Sequence, residues 1–172
     1  MANEKRSLLF LRSQKLAVVA TCGSYTKSPE SALIAYCEDD ELCLYFQSGK
    51  ATRKVQNIKV NPHVSFVIGL DMGLVTMQYE GHAQPIFAQE ALEACKALFL
   101  EKKSPTNAKY FNEDTIFYKV TPTWIGFSDY TGQALAKPDR NLSKMSLSPR
   151  KLTRSLLNAF FFGIYRQSPD VE

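Results

Sequence analysis

Short strand-like segments follow one another closely along this chain, and turn residues separate them. The first segment, 16–21, reads Leu-Ala-Val-Val-Ala-Thr and is followed by Gly23. Its length and its β-branched residues favour a buried strand over a helix. Six further segments repeat the pattern: 31–37, 42–47, 63–68, 74–83, 115–120 and 124–128. The last two of these segments predict either one strand or two. This number of short strands indicates a mainly β architecture.

Three segments interrupt the strands with helical spacing. Segments 3–15 and 88–102 place apolar residues at helical intervals with charged residues between them. Thr52 is a candidate N-cap for a third helix of about two turns, which ends before Pro62. Gly81 predicts a β-bulge in the strand 74–83. Together these features predict an antiparallel β-barrel with short helices added to it.

Length and composition are those of an ordinary globular domain. The 172 residues are 45% hydrophobic and 22% charged, which excludes a disordered or a collagen-like chain. No stretch reaches the roughly 20 apolar residues of a membrane span, and the first residues carry no secretory cleavage pattern. We therefore expect a cytoplasmic protein without stable membrane insertion.

The net charge of +4 is distributed unevenly along the chain. Between Lys137 and Arg166, seven basic residues stand against one acid, Asp139, so this segment carries +6 and the rest of the chain −2. The sequence therefore predicts a barrel domain over 1–136 and a basic, then apolar, helical extension over 137–172. Three roles are open for the extension: docking on a partner subunit, contact with a membrane surface and contact with nucleic acid.

Docking is the favoured role of this extension. Its basic residues mostly precede the apolar run, whereas a helix that lies in a membrane surface carries both along its length. A folded basic face with interleaved aromatic residues, which is typical of nucleic-acid binding, is missing. We therefore expect no nucleic-acid partner.

Cysteine and histidine are too scattered to predict a metal site. The four cysteines form no Cys-x-x-Cys pair, and three of them lie in apolar runs, so buried reduced thiols are the expected state. His63 and His82 are the two histidines, and their strand positions favour structural or surface roles over acid–base catalysis. The acidic run 38–41 predicts a solvated turn.

The segment 45–54, Tyr-Phe-Gln-Ser-Gly-Lys-Ala-Thr-Arg-Lys, predicts a strand that runs through a glycine turn into a helix start. A phosphate monoester needs several hydrogen-bond donors and positive charge at one place. Helix N-terminal amides, the hydroxyls of Ser48 and Thr52, and the side chains of Arg53 and Lys54 would supply both. The alternative is a solvated basic turn that carries only a helix cap.

The order of these elements resembles the pyridoxamine 5′-phosphate oxidase-like family of FMN-binding split β-barrels. The resemblance covers roughly 16–130. It includes the opening strands, the turn 48–54, the helix exit Asn-Ile…Asn-Pro-His-Val at 57–64, the Tyr-Glu-Gly-His-Ala of 79–83, and the Tyr-Lys-Val-Thr-Pro…Ile-Gly-Phe of 118–127. It implies a homodimer with the cofactor at the subunit interface, so that both chains build each site.

The resemblance also implies which residues hold FMN. Ser48, Arg53 and Lys54 would bind the phosphate, and Thr52 would add a donor. Backbone groups of the strand that carries Ala32, Leu33, Ile34 and Ala35 would follow the isoalloxazine ring, with Gln47 beside it. Thr76 stands where the relatives place a longer amide against the ring. FAD, a deazaflavin or haem are the alternative cofactors.

The substrate is not implied by the resemblance. True oxidases carry an aromatic residue and an Arg-Leu-His motif for the pyridoxal phosphate ligand after the last strand, and segment 128–137 reads Ser-Asp-Tyr-Thr-Gly-Gln-Ala-Leu-Ala-Lys instead. Without that second phosphate clamp, efficient turnover of pyridoxamine phosphate is not expected.

The first function that the sequence favours is an FMN-dependent oxidoreductase of undefined substrate, with a nicotinamide nucleotide as candidate electron donor. A non-catalytic flavin or haem carrier is the second, and a cofactor-free interaction module is the remaining alternative. No residue is singled out as catalytic, because hydride can pass directly between a flavin and its donor.

Overall fold

The computed structural model describes residues 2–23, 28–70, 74–102 and 105–129. Its helices and strands are α1 (Ala2–Ser13), β1 (Leu16–Cys22), β2 (Pro29–Glu38), β3 (Leu44–Gly49), α2 (Arg53–Val60), β4 (His63–Ile68), β5 (Val75–Pro85), α3 (Gln89–Lys102), a 3-10 helix (Pro105–Tyr110) and β6 (Thr115–Asp129). The predicted extension over 137–172 lies outside the described residues.

The six strands form a closed antiparallel barrel in the order β1-β2-β3-β6-β5-β4. The predicted split barrel is confirmed. Segments 115–120 and 124–128 form the single long strand β6, which pairs with β3 over residues 115–120 and with β5 over residues 118–129. Pro122 does not break β6, since it lies opposite Gly81, where the β5–β6 register shifts. The predicted irregularity at Gly81 is present, but the extra residue, Thr123, is on β6 and not in the strand 74–83.

Aromatic residues fill the barrel interior. Tyr36, Phe46, Phe66, Tyr79 and Tyr118 are all almost fully buried. Phe46 stacks on Tyr118 with ring centroids 5.1 Å apart, and Phe66 meets Tyr79 edge-on at 5.5 Å. The Tyr79 hydroxyl lies 3.1 Å from the Leu42 carbonyl oxygen and 3.0 Å from that of Val120, so its polar end is satisfied inside the core.

Two helices complete this core. Val55 and Ile58 on α2 are buried in it, as their shared face predicts. Leu11 on α1 is also buried, and its carbonyl oxygen accepts a 2.8 Å hydrogen bond from the Tyr36 hydroxyl. The barrel therefore fixes the direction of α2, whose first turn carries the basic pair predicted to bind phosphate.

Helix α3 and the 3-10 helix cover the outer face of β2, β3 and β6. Cys37, Tyr45 and Phe117 on the strands pack against Cys95 and Phe99 on α3. All four cysteines are free thiols, three of them buried, as predicted. No helix in the described part of the chain is long and apolar enough to cross a bilayer.

The acidic run 38–41 is only partly the solvated turn that was predicted. Glu38 is the last residue of β2 and is buried, and its carboxylate and carbonyl oxygens both accept hydrogen bonds from Lys102. No local pattern indicates this pair, because the two residues are 64 positions apart and meet only when α3 packs on β2.

Burial of the thiols predicts a loss of stability at alkaline pH. Desolvation raises the pKa of Cys95 to about 12, and desolvation together with the nearby Asp39 carboxylate raises that of Cys43 to about 12. Above pH 9 the unfolded chain loses these protons while the folded chain keeps them. The free energy of unfolding should therefore fall by about 1.4 kcal/mol per pH unit for each thiol between pH 9 and 12.

Urea unfolding at pH 9.5 and 10.5 measures this loss, with Cys95→Ala as the comparison. The variant should lose about 1.4 kcal/mol less than the wild type over that interval. An equal loss in both proteins would show that the Cys95 thiol ionises alike in the folded and unfolded chains.

Candidate functional site

The predicted phosphate segment lies at one end of the barrel, where β3 leads into α2. Ser48 is buried at the end of β3, and Gly49 pairs with Thr115 on β6. The Lys50 amide donates a 2.7 Å hydrogen bond to the Asp114 carbonyl oxygen, and the Thr52 amide donates to Gly49 O at 3.1 Å. These backbone bonds fix the turn relative to the barrel.

The two hydroxyls of the turn are held together. Thr52 Oγ1 donates to the Gly49 carbonyl oxygen at 2.9 Å and lies 2.9 Å from Ser48 Oγ. Because the Thr52 proton is engaged with Gly49, the Ser48 hydroxyl is the donor between the two side chains. Thr52 occupies the N-cap position of α2 as predicted, but its side chain makes no capping hydrogen bond. The first-turn amides of α2 therefore lack the side-chain acceptor that an N-cap usually supplies.

Positive charge surrounds this helix start. Arg53 is 81% exposed and lies in the first turn of α2, with the half-buried Lys54 next to it. Lys50 is exposed in the preceding turn. The helix dipole adds partial positive charge at the same end. Hydroxyls, amides and cations thus meet within one turn of chain, which we call the cradle (residues 48–54).

One carboxylate enters this cationic region. Glu30, near the start of β2, places Oε1 3.3 Å from Arg53 Nη1. Its Oε2 accepts a 3.1 Å hydrogen bond from Asn57 Nδ2, and Asn57 Nδ2 also lies 3.0 Å from Thr21 Oγ1 on β1. Arg53 and Asn57 are four residues apart and so share a face of α2, which brings both to Glu30. The network ties α2 to β1 and β2.

The donor set of the cradle fits a phosphate group. The uncapped helix start and the Arg53–Lys54 pair provide hydrogen bonds and charge for a phosphate dianion, and the Ser48 hydroxyl would add a donor by rotating away from Thr52 Oγ1. The structure brings together the four predicted phosphate ligands, Ser48, Thr52, Arg53 and Lys54. Glu30 is the opposing charge in contact with them, because its oxygen already engages Arg53.

The predicted ring-contacting residues are not all gathered at one place. On β2, Ile34 faces the barrel core and Ala32 packs against that core, whereas the exposed Leu33 and Ala35 point outwards. Gln47 on β3 pairs with Phe117, and its Oε1 is buried with no hydrogen-bond partner among the described residues. A ligand that brought an N–H donor would satisfy this oxygen.

Thr76 lies far from the cradle within one chain. It is on β5, which two strands separate from β2 in either direction around the barrel. The pairing of Ile68 with Ala17 and with Met77 places Thr76 at the end of the barrel where β1 begins, whereas Thr21 and Glu30 pair at the cradle end. A single chain does not bring Thr76 to the phosphate ligands.

A cleft of about 320 Å³ lies along β1, β4 and β5, and its lining includes Asn61 at the C-terminal end of α2 but no residue of the cradle. Its polar lining includes Thr21, His63, Ser65 and Glu80. The two histidines face each other in register across β4 and β5, with ring centroids 5.5 Å apart. This pairing is a result of strand register and was not visible in the sequence.

Among the described residues, one group of three side chains that could bind a metal lies close together: Asp39, Glu41 and Cys43. The Asp39 carboxylate, however, accepts hydrogen bonds from the Glu41 and Cys43 amides and from the Tyr45 hydroxyl. The three side chains lie close together because Asp39 stabilises a turn through these bonds, so we assign no metal here.

Sequence reasoning missed three residues of the site: Thr21, Glu30 and Asn57. The spacing of Asn57 from Arg53 was a usable signal, since residues four apart on a helix lie side by side. Nothing comparable marks Glu30 or Thr21, which reach the site through the pairing of β1 with β2.

Three solved structures with the same fold are described as proteins of different kinds. General stress protein 26 from Bacillus anthracis is 18% identical, with 74% of this chain and 94% of that one covered and a TM-score of 0.59. The haem storage protein HutZ from Vibrio cholerae is 16% identical, with 73% and 93% covered and a TM-score of 0.63. An F420 reductase is 20% identical, with 68% and 93% covered and a TM-score of 0.53. At these identities the likeness establishes the fold alone.

No curated protein sequence matches the chain. The family model described as pyridoxamine 5′-phosphate oxidase does match, over residues 4–129, from α1 to the end of β6. That range contains the whole barrel and the cradle and is well over half of the chain. On this match, the protein is a member of the pyridoxamine 5′-phosphate oxidase family.

Proposed function

We propose that the chain binds FMN through the cradle and is a flavin-dependent oxidoreductase whose substrate is not pyridoxamine phosphate. The observation that carries the proposal is the helix start of α2, where Ser48, Thr52, Arg53 and Lys54 surround amides that no side chain caps. A phosphate monoester matches this donor set in both charge and hydrogen bonding.

Residues outside the cradle would orient the flavin ring. The exposed Leu33 and Ala35 offer an apolar surface on β2, and Gln47 Oε1 offers a buried acceptor for a ring N–H. When bound, the flavin supplies hydride and electron transfer at its ring, and the protein's contribution is to position it and to shield it from water. No protein base is required for direct hydride transfer, and the proposal assigns none.

We further propose that the protein acts as a homodimer with the flavin at the interface. An outer apolar face runs across β1, β2 and β4, where Val18 pairs with both Leu33 and Val67 and Leu16 pairs with Ala35. Leu33 is 59% exposed, and Leu16 and Val67 are exposed beside it. A contiguous apolar surface of this kind is typical of an interface. A second copy on this face would also explain how Thr76, remote within one chain, could reach the flavin.

Leu33→Asp should dissociate this dimer. A carboxylate in the middle of the outer apolar face would have to be desolvated without a partner on association, which strongly disfavours the interface. Light scattering coupled to size exclusion should report a dimer for the wild type and a monomer for the variant. Leu9→Asp, at an exposed leucine on α1, is the matched control and should remain dimeric. A dimeric Leu33→Asp protein would place the interface elsewhere.

The proposed function is tested in two steps. Fluorescence titration should first show that the purified protein binds FMN at one site per chain. Stopped-flow mixing of the complex with NADH or NADPH should then bleach the flavin absorbance. Failure to bind FMN would overturn the proposal. Binding without reduction by either nucleotide would leave a carrier as the function.

A carrier of flavin or haem is the second candidate. The V. cholerae protein is described as a haem storage protein, and the cleft along β1, β4 and β5 contains His63, a side chain suited to an iron ligand. Mass spectrometry of the small molecule that co-purifies with the native protein separates these cofactors.

Cytoplasmic location and the division between 1–136 and 137–172 stay predictions.

A further inference from the structure

The carboxylate of Glu30 contacts Arg53 of the cradle and opposes the binding of an anionic ligand there. Its side chain is 18% exposed and contacts α2 through both oxygens, one on Arg53 Nη1 at 3.3 Å and one on Asn57 Nδ2 at 3.1 Å. A phosphate dianion held by Arg53 would lie within hydrogen-bond reach of the same guanidinium. The phosphate and the Glu30 carboxylate would then compete for the charge and the N–H groups of Arg53.

The helix does not depend on Glu30 alone for its position. Val55 and Ile58 are buried in the barrel core, and Asn57 also contacts Thr21 on β1. Arg53 is largely exposed, so its pair with Glu30 contributes little to stability. The main consequence of the Glu30 carboxylate is therefore electrostatic: it offsets positive charge where the phosphate would bind.

We propose that Glu30 is the internal counter-anion of the cradle and sets its affinity for phosphorylated ligands. This inference rests on the proposed function. A bound phosphate has to share or displace the Arg53–Glu30 contact, so the carboxylate weakens binding of the phosphorylated flavin specifically. A flavin without a phosphate does not compete with Glu30 for Arg53, and its affinity does not depend on Glu30.

Glu30→Gln tests the inference, because the amide keeps the size of the side chain and an acceptor for Asn57 while it removes the charge. The variant should bind FMN about three- to tenfold more tightly than the wild type and should bind riboflavin with unchanged affinity. Glu101→Gln, which removes an exposed carboxylate on α3, is the matched control for net charge and should change neither affinity. Unchanged FMN binding by Glu30→Gln would overturn the inference. Weaker binding would also overturn it and would show that Glu30 orients Arg53 for the phosphate.

The route of the effect is tested with Arg53→Ala. If Glu30 acts through Arg53, adding Glu30→Gln to Arg53→Ala should leave FMN affinity unchanged within twofold. A gain as large as in the wild-type background would show that the carboxylate does not act through Arg53, contrary to the inference.

Inorganic phosphate separates failure of this inference from failure of the proposed function. Thermal unfolding in phosphate, against chloride of equal ionic strength, reports on the cradle without any flavin. A larger phosphate-induced rise in Tm for Glu30→Gln than for the wild type would support the counter-anion even if neither protein bound FMN. An equal rise, or none in either protein, would overturn it.

Discussion

Replacing Arg53 and Lys54 together by alanine should weaken FMN binding about a hundredfold while the protein remains folded. Hydrogen bonds to charged groups contribute about 1.5–3 kcal/mol each. Because Arg53 is largely exposed and Lys54 is half-buried, solvent screening places the sum at about 3 kcal/mol. Fluorescence titration with FMN measures the loss, and the circular dichroism spectrum should be unchanged.

Two controls make this result specific to the phosphate. Riboflavin lacks the phosphate, so its affinity should be the same for the double variant and the wild type. Lys59→Ala removes an exposed cation from the last turn of α2, at the opposite end of the same helix, and should leave FMN affinity within about twofold. If the double variant bound FMN normally, the assignment of the cradle to phosphate would be wrong. An equal loss with Lys59→Ala would point to net charge instead.

Gly81→Ala should cost about 3 kcal/mol of unfolding free energy. A methyl group at this position would lie 2.6 Å from Val120 Cγ1 and 2.7 Å from the Thr121 carbonyl oxygen. The second of these contacts is with backbone at the β5–β6 register shift, which side-chain rotation cannot relieve. Overpacking of this kind typically costs 1–3 kcal/mol and more where backbone must move. Urea unfolding at pH 7 measures the effect.

Gly49→Ala is the matched control for Gly81→Ala. A methyl group there would meet its nearest neighbour, Thr52 Cγ2, at 3.6 Å, which is an ordinary contact. Its unfolding free energy should stay within about 0.5 kcal/mol of the wild type. Equal stability of the two variants would show that β5 and β6 adjust freely at the bulge, against the close packing described here.

Local patterns predicted most of the barrel because strands and helices follow side-chain periodicity. The apolar run of β1, the shared face of Val55 and Ile58, and the irregularity at Gly81 were all visible in sequence. The limits of elements were less certain, and β6 is the clearest case. The sequence left open whether 115–120 and 124–128 are one strand or two, and β6 continues unbroken through Pro122, which lies at the register shift opposite Gly81.

Within the candidate site, the sequence determined whatever lies inside one stretch of chain. The hydroxyls and the basic pair of the cradle are within seven residues, so the turn and helix start that join them could be inferred from residue types alone. Tertiary structure decided the rest: the Glu30 carboxylate on Arg53, the Asn57–Thr21 contact and the meeting of His63 with His82. Each of these depends on which strands pair and in which register, and that is fixed by closure of the barrel around its core, not by any local pattern.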